Sequence, residues 1–245
     1  MLAHKDVYYQ TFYEVFEQAV LDSVKPNMIL SLSGGWDTRV IAGILAKNNV
    51  DLPTMTTGSR LEILIASEVA RTLNLKHYSN NPETLGPLKN ETRLEVMRTL
   101  YAMRSGGRQL REKGYKYLLT GHCFDEINGC WRGAWARTYE QFEHAKKKYL
   151  QDRLDALDEY HRELRLEIVT PILDPAVLAC LQKIPWQLRT GKKLQKWILK
   201  NKFPRLYHIG YYNSLLPYFL PYRLHGLSAM LHVRFLAVYV RGGGR

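Results

Sequence analysis

Two short stretches carry residues whose types and spacing suit phosphate chemistry. The first is Met28 to Ala46, MILSLSGGWDTRVIAGILA. It opens as an apolar run, Met28-Ile29-Leu30-Ser31-Leu32, short enough for a buried strand. It breaks at Ser33-Gly34-Gly35 and resumes with Val40, Ile41, Ile44 and Leu45 on one helical face. Strand, glycine turn and helix together make an anion site. The unpaired N–H groups at the helix start face the anion, and the helix dipole favours negative charge there. Glycines let the backbone approach closely and adopt angles that a Cβ forbids. Asp37 cannot attract phosphate itself, so its expected task is to hold Mg²⁺. The wording matches neither the G-K-S/T loop of Walker A nor the G-x-G-x-x-G dinucleotide fingerprint. An ordinary strand-to-helix turn containing two glycines is the competing reading.

The second stretch is Thr120 to Gly129, TGHCFDEING, which closes the strand-like run Tyr115 to Thr120. It too places a glycine and carboxylates at the end of a strand. In a parallel sheet Asp125 would lie across the crevice from Asp37, both reaching one Mg²⁺ on bound phosphates. A helix-capping acidic pair is the bland alternative for Asp125 and Glu126.

The elements around these stretches follow from periodicity. Val7 to Val24 reads as an opening helix, with Tyr8, Phe12, Val15, Phe16, Val20 and Leu21 at helical spacing. Asp51 to Thr57 reads as a second strand ending at Gly58-Ser59, Ile63 to Leu73 as a helix, and Lys76 to Tyr78 as a third strand. Pro87 to Lys113 is helical in pattern, interrupted at Ser105-Gly106-Gly107. Tyr139 to Leu164 is a long charged helix or two short ones, with Lys146-Lys147-Lys148 on a solvated face. Pro171 to Pro175 is a breaker cluster followed by a helix through Leu181. Thr190-Gly191 opens a helix carrying Lys192, Lys193 and Lys196. The rhythm is that of an α/β, doubly wound parallel sheet, whose ligands bind beyond the carboxyl ends of the strands.

The 245 residues suffice for one well-buried α/β domain with an appendage. Three scattered cysteines, Cys123, Cys130 and Cys180, make no disulfide framework or zinc pair, and with charged residues among the first twenty no signal peptide is expected. The expected compartment is a reducing cytoplasm. The net charge of +12 is unevenly placed. No Asp or Glu follows Asp174, and 12 of the 35 Lys and Arg lie in residues 175–245, so the chain before them balances at 23 against 23. Such a block suits an acidic partner, whether ATP phosphates, RNA or anionic lipid, or is a solvated basic face.

Four segments, in order, resemble one family. Ser33-Gly34-Gly35-Trp36-Asp37-Thr38 is similar to S-G-G-x-D-S, the loop of the PP-loop ATP pyrophosphatases, with Thr keeping the final hydroxyl. TGHCFDEING resembles S-G-x-G-x-D-E-x-x-G-G, EIVTPILDP (Glu167 to Pro175) resembles E-x-R-x-P-F-L-D, and GKKLQKWILK resembles G-x-x-K-x-x-L-R. These are motifs of the synthetase domain of class B, glutamine-hydrolysing asparagine synthetases and their relatives, which include β-lactam synthetase and lasso-peptide cyclases. Coverage runs from about Met28 to Asn201.

The resemblance implies a PP-loop fold with a helical C-terminal part. It also implies an AMP-forming carboxylate–amine ligase that uses ATP and Mg²⁺. Ser33, Gly34, Gly35, Asp37 and Thr38 would hold pyrophosphate, with Asp37 and Asp125 on the metal. Thr57, Gly58, Thr120 and Gly121 would line the nucleotide. Lys193 aligns with the lysine that stabilises the adenylation transition state, Lys196 with its neighbour, and Lys192 is the alternative to Lys193. Glu126 joins the catalytic set. So does His122, which stands where asparagine synthetases have a glutamate, as a general base.

Other departures are Cys123 and Phe124 at small positions, Val169 for an arginine, and Cys130 for the second glycine. The family's glutaminase domain is missing from this chain, so nitrogen is expected from free ammonia, a separate glutaminase or an amine on the substrate. Adenylation of a tRNA base and non-catalytic nucleotide binding are the alternative functions. The expected domain is 1–202. Residues 203–245 form a basic, aromatic extension that suits packing on the domain, a membrane surface or RNA.

Overall fold

The structure, a computed structural model, describes residues 5–58, 60–80, 107–128 and 135–210. Its centre is a five-stranded parallel sheet in the order β3-β2-β1-β4-β5. The strands are β1 (Met28–Ser31), β2 (Thr54–Thr57), β3 (His77–Asn80), β4 (Tyr117–Leu119) and β5 (Glu167–Val169). In register, Leu30 lies between Thr54 of β2 and Leu119 of β4. The chain leaves β1 for β2 on one side and later returns to β4 on the other. The carboxyl ends of β1 and β4 therefore flank the switch point where such sheets open a crevice.

Helices cover the sheet. They are α1 (Lys5–Asp22), α2 (Trp36–Lys47), α3 (Arg60–Thr72), α4 (Tyr139–Leu164), α5 (Pro175–Lys183), α6 (Trp186–Arg189), α7 (Lys193–Lys202) and α8 (Pro204–Tyr207). Residues 107–112 are also helical. None of the helices described is long and apolar enough to cross a membrane.

α2 is buried on nearly all sides rather than on one face, since Val40 to Leu45 are all buried. It is held between the sheet, α1 and α7. α1 brings an aromatic face, Tyr9, Phe12, Tyr13 and Phe16. Phe12 and Phe16 stack on one another and both set their rings edge-on to Phe124, at 5.9 and 5.2 Å. α4 runs unbroken for 26 residues from a Thr138 cap to Arg165, whose φ of 51° ends it in the left-handed region. Lys147 and Lys148 are exposed on it, as expected of a solvated face, while Lys146 pairs with Glu143.

The structure differs from the sequence expectations in two places, and for residues 203–210 it shows one of the arrangements left open. β5 is a strand of three residues inside a stretch read only as a motif, too short to show alternation. The last long helix begins at Lys193, not Thr190, because Gly191 and Lys192 both take positive φ, 65° and 60°. Residues 203–210, set apart in the sequence as the start of an extension, pack into the same core. Phe203 lies against α2 so closely that a Cβ on Gly43 would come within 2.8 Å of its ring, and Leu206 is buried. The helix expected from Pro87 falls mostly outside the described residues, as do residues 211–245.

Phe203 is 9% exposed, so Phe203→Ala removes a ring from a filled site. The expected loss is about 3–5 kcal/mol of unfolding free energy, measured by urea denaturation. A loss under about 1 kcal/mol, ordinary for an exposed position, would mean that the segment does not belong to the core.

Candidate active site

Asp37 sits in the first turn of α2, just past the glycines that leave β1. Asp125 sits in the turn past β4, six residues beyond Leu119. Their side chains come together although 88 positions separate them in the chain. Gln195 Nε2 donates to Asp37 Oδ1 at 2.9 Å and to Asp125 Oδ1 at 3.1 Å. Lys192 Nζ pairs with Oδ2 of both, at 3.5 Å from Asp37 and closer to Asp125. The side chains of Asp37, Asp125 and Lys192 are only 22%, 28% and 24% exposed. Burial chiefly, and then the Asp125 charge, raise the Asp37 carboxyl above its ordinary range, while Lys192 and Gln195 pull it down.

Several local devices bring this about. Ser33 N–H donates to Thr38 Oγ1 at 3.0 Å, the two hydroxyls lie 3.0 Å apart, and Gly35 N–H donates to Ser33 Oγ at 3.1 Å. The hydroxyls at both ends of S-G-G-x-D-T thus tie the loop into one turn. Gly121 is required by proximity, since an added Cβ would meet Thr38 N at 2.9 Å and Asp37 C and Cβ at 3.0 Å. The β4 turn can lie on the start of α2 only without a side chain there. Phe124, anchored under α1, holds the Asp125 turn from below. Cys123 takes φ 68° where the resembled motif has a glycine, and it is fully buried; desolvation pushes its thiol up to about 12.

Arg39 is the residue that sequence reading passed over. It is fully buried in α2, with Nη1 donating to the carbonyls of Leu206 and Ile209 at 3.0 and 2.9 Å. Its Nη2 donates to those of Gly34 and Gly210 at 3.0 and 2.8 Å. Holding the Gly34 carbonyl inward fixes the face that the glycine turn presents to the crevice, and the same guanidinium staples residues 206–210 beneath it. Its signal in the sequence was a lone cation inside an apolar helix. Glu62 of α3 was missed too. Its carboxylate accepts from the Gly34 backbone, and burial raises its carboxyl. A Cβ on Gly58 would meet Glu62 Oε2 at 2.3 Å.

Other expected site residues divide. Thr57 and Gly58 end β2 beside the loop, and Thr120 Oγ1 lies 3.3 Å from Thr170 Oγ1 while its N–H bonds Val169. Lys193 turns away: its Nζ donates to the Gln187 carbonyl, and burial followed by the Lys5 charge lowers its affinity for a proton. The lysine on the carboxylates is Lys192, because the left-handed turn at Gly191-Lys192 aims the residue before the helix into the crevice. Lys196 places its ammonium 5.5 Å from the Trp36 ring, over the loop. Glu126 accepts from Arg153 Nε of α4 at 2.8 Å, which pins the 3₁₀ turn that follows Asp125.

His122 lies on the same turn past β4 as Asp125. Burial first, and the Arg153 charge second, lower its imidazole to about 3, so it is neutral across the physiological range and a poor proton acceptor.

The donor set suits Mg²⁺. Two carboxylates from different strand ends converge on one positive side chain, all the ligating atoms are oxygens, and the phosphate-type loop adjoins them. Among the described residues no group of three or more His, Cys, Asp or Glu could hold a metal. That fits an ion completed by substrate oxygens and water rather than an all-protein cage.

No protein-family model and no curated protein matches the sequence. Among solved structures the chain is similar to U34-tRNA thiolase NcsA from Methanococcus maripaludis with its 4Fe-4S cluster. The identity is 14% and the TM-score 0.45, over 81% of this chain and 77% of that one. It is also similar to NMN synthetase from Francisella tularensis, at 16% identity and a TM-score of 0.33, over 83% and 91% of the chains.

The neutral state of His122 has a direct readout. Its imidazole proton shifts should stay flat from pH 8 to pH 5, whereas an ordinary histidine titrates near 6.5. The sign for stability follows: as pH falls below about 6.5 the unfolded chain binds a proton that the native chain refuses, so stability is lost on that side. A titration midpoint between 6 and 7 would restore His122 as a base.

Proposed function

We propose that the chain is an ATP-dependent, AMP-forming ligase that adenylates a carboxylate and passes the acyl group to ammonia or an amine, as the asparagine synthetases do. The observation that carries this reading is the convergence of Asp37 and Asp125 on Lys192 and Gln195 beside the Ser33–Thr38 loop. The N–H groups in the first turn of α2, just past the glycines, hold the pyrophosphate part of ATP. Asp37 and Asp125 hold Mg²⁺, which supplies charge neutralisation on the phosphates.

A substrate carboxylate oxygen attacks the α-phosphorus, and the bond from that phosphorus to the bridging oxygen breaks, its electrons leaving with pyrophosphate. Lys192 and Lys196 oppose the charge that develops on the phosphoryl oxygens. The amine lone pair then attacks the acyl carbon, the carbon–oxygen bond breaks, and AMP departs as the amine loses a proton. His122, whose affinity for a proton is lowered by burial, is at most a weak acceptor of that proton.

A second reading, adenylation of a tRNA base, is favoured by the confinement of the whole +12 excess to the last 71 residues. A third, nucleotide binding without turnover, draws on the neutral His122.

Pyrophosphate release from ATP and Mg²⁺ tests these readings, first with aspartate and ammonium chloride and then with bulk tRNA. The expected result is release that requires carboxylate and amine, yields AMP, and is abolished by Asp37→Ala. Lys192→Met should lower the rate by about 10²–10³, the usual loss for one transition-state charge partner, and Lys193→Met by far less. An undiminished rate in Asp37→Ala would sink the assignment. Release with tRNA alone would move the chain to the base-modifying class, and ATP binding without release to the non-catalytic one.

A further inference from the structure

Gln195 lies in the GKKLQKWILK stretch, at a position to which the resemblance assigns no role. It lies in the first turn of α7 and is 1% exposed. Its Nε2 serves both Asp37 and Asp125, while its Oε1 is buried with no hydrogen-bond partner among the described residues. A buried carbonyl oxygen without a donor is rare in a folded protein and calls for a reason. Here the other end of the same group lies against two carboxylates, where only the nitrogen end can be accepted.

We infer that Gln195 is a third oxygen ligand of a divalent cation held at Asp37 and Asp125, its carboxamide turning so that Oε1 replaces Nε2 toward the carboxylate pair. The inference rests on the crevice being the Mg²⁺-nucleotide site. Without a cation, two carboxylates need hydrogen donors and positive charge between them, and the Gln195 NH₂ and the Lys192 ammonium provide both.

A divalent cation reverses the local sign. It repels the NH₂ group and attracts the carbonyl dipole, and hard cations take amide and carboxylate oxygens alike. The two ends of the carboxamide are nearly the same size, and the terminal torsion of Gln is broad and roughly two-fold, so the turn needs no repacking. No third acidic, His or Cys ligand adjoins the pair among the described residues. Any further protein oxygen, beside those of substrate and water, would come from a neutral group, and Gln195 already touches both carboxylates.

The test is Mn²⁺ affinity of the full chain, read from the free-ion paramagnetic resonance signal with α,β-methylene-ATP present. Gln195→Leu should raise the Mn²⁺ Kd on the order of tenfold, and Gln195→Glu should restore it. An unchanged or tighter Kd in Gln195→Leu overturns the inference, because Gln195 would then act only as a donor competing with the ion. Should Gln195→Leu fail to fold, the wild type labelled with δ-¹³C glutamine decides: a strong Mn²⁺–¹³C coupling is expected, and its absence overturns the inference. The readout needs no turnover. Wild type that binds Mn²⁺ through Gln195 yet releases no pyrophosphate refutes the ligase reading and leaves this one standing, whereas wild type that binds no Mn²⁺ refutes the cation site itself.

Discussion

Two carboxylates placed within reach of one ammonium repel each other, and a fold that brings them together must supply the compensating charge. Asp37 and Asp125 arrive from the ends of adjacent parallel strands, and Lys192 and Gln195 arrive from α7 to meet them. The tie spans three parts of the chain that are far apart in sequence. Much of the surrounding structure can be understood as holding it in place: the glycine contact at Gly121, the aromatic seat of Phe124, and the left-handed turn before α7.

Beneath the tie lies a second constraint, the buried guanidinium of Arg39. By donating to the Gly34 carbonyl and to carbonyls of residues 206–210, it joins the phosphate-type loop to the segment after α7. Hydrogen bonds from a charged donor are among the stronger ones, about 1.5–3 kcal/mol each. The loop is therefore set from its inner side by Arg39 and from its outer side by the Ser33 and Thr38 hydroxyls and by Glu62, leaving little freedom to reorganise when an anion arrives. Preorganisation of this kind is what electrostatic stabilisation of a phosphoryl transition state requires.

The β-α-β-α-β frame was legible because its central elements carry apolar periods, as in Val40 to Leu45 and YKYLLT, and turn residues separate the others. Asp37 and Asp125 were legible because a parallel sheet puts strand ends on one side, so two loops that each follow a strand must share a crevice. What failed to show depended on single torsions and contacts between distant residues. Nothing in GKKLQKW reveals that Lys192 takes φ 60° and meets the two carboxylates while Lys193 meets the Gln187 carbonyl. His122 reads as a base until the fold buries it and brings the Arg153 charge, 31 positions later, near it. β5 and the packing of Phe203 escaped because three residues carry no period and a lone aromatic after a helix has no partner in the sequence.

The most direct test of the crevice as a metal-nucleotide site is calorimetric binding of ATP with and without Mg²⁺, to the wild type and to Asp125→Asn. The structure as read here predicts binding that depends on Mg²⁺ and weakens at least about tenfold in the variant, since the amide removes one of two charged ligands. ATP binding of equal strength without Mg²⁺, or unchanged in Asp125→Asn, would contradict it.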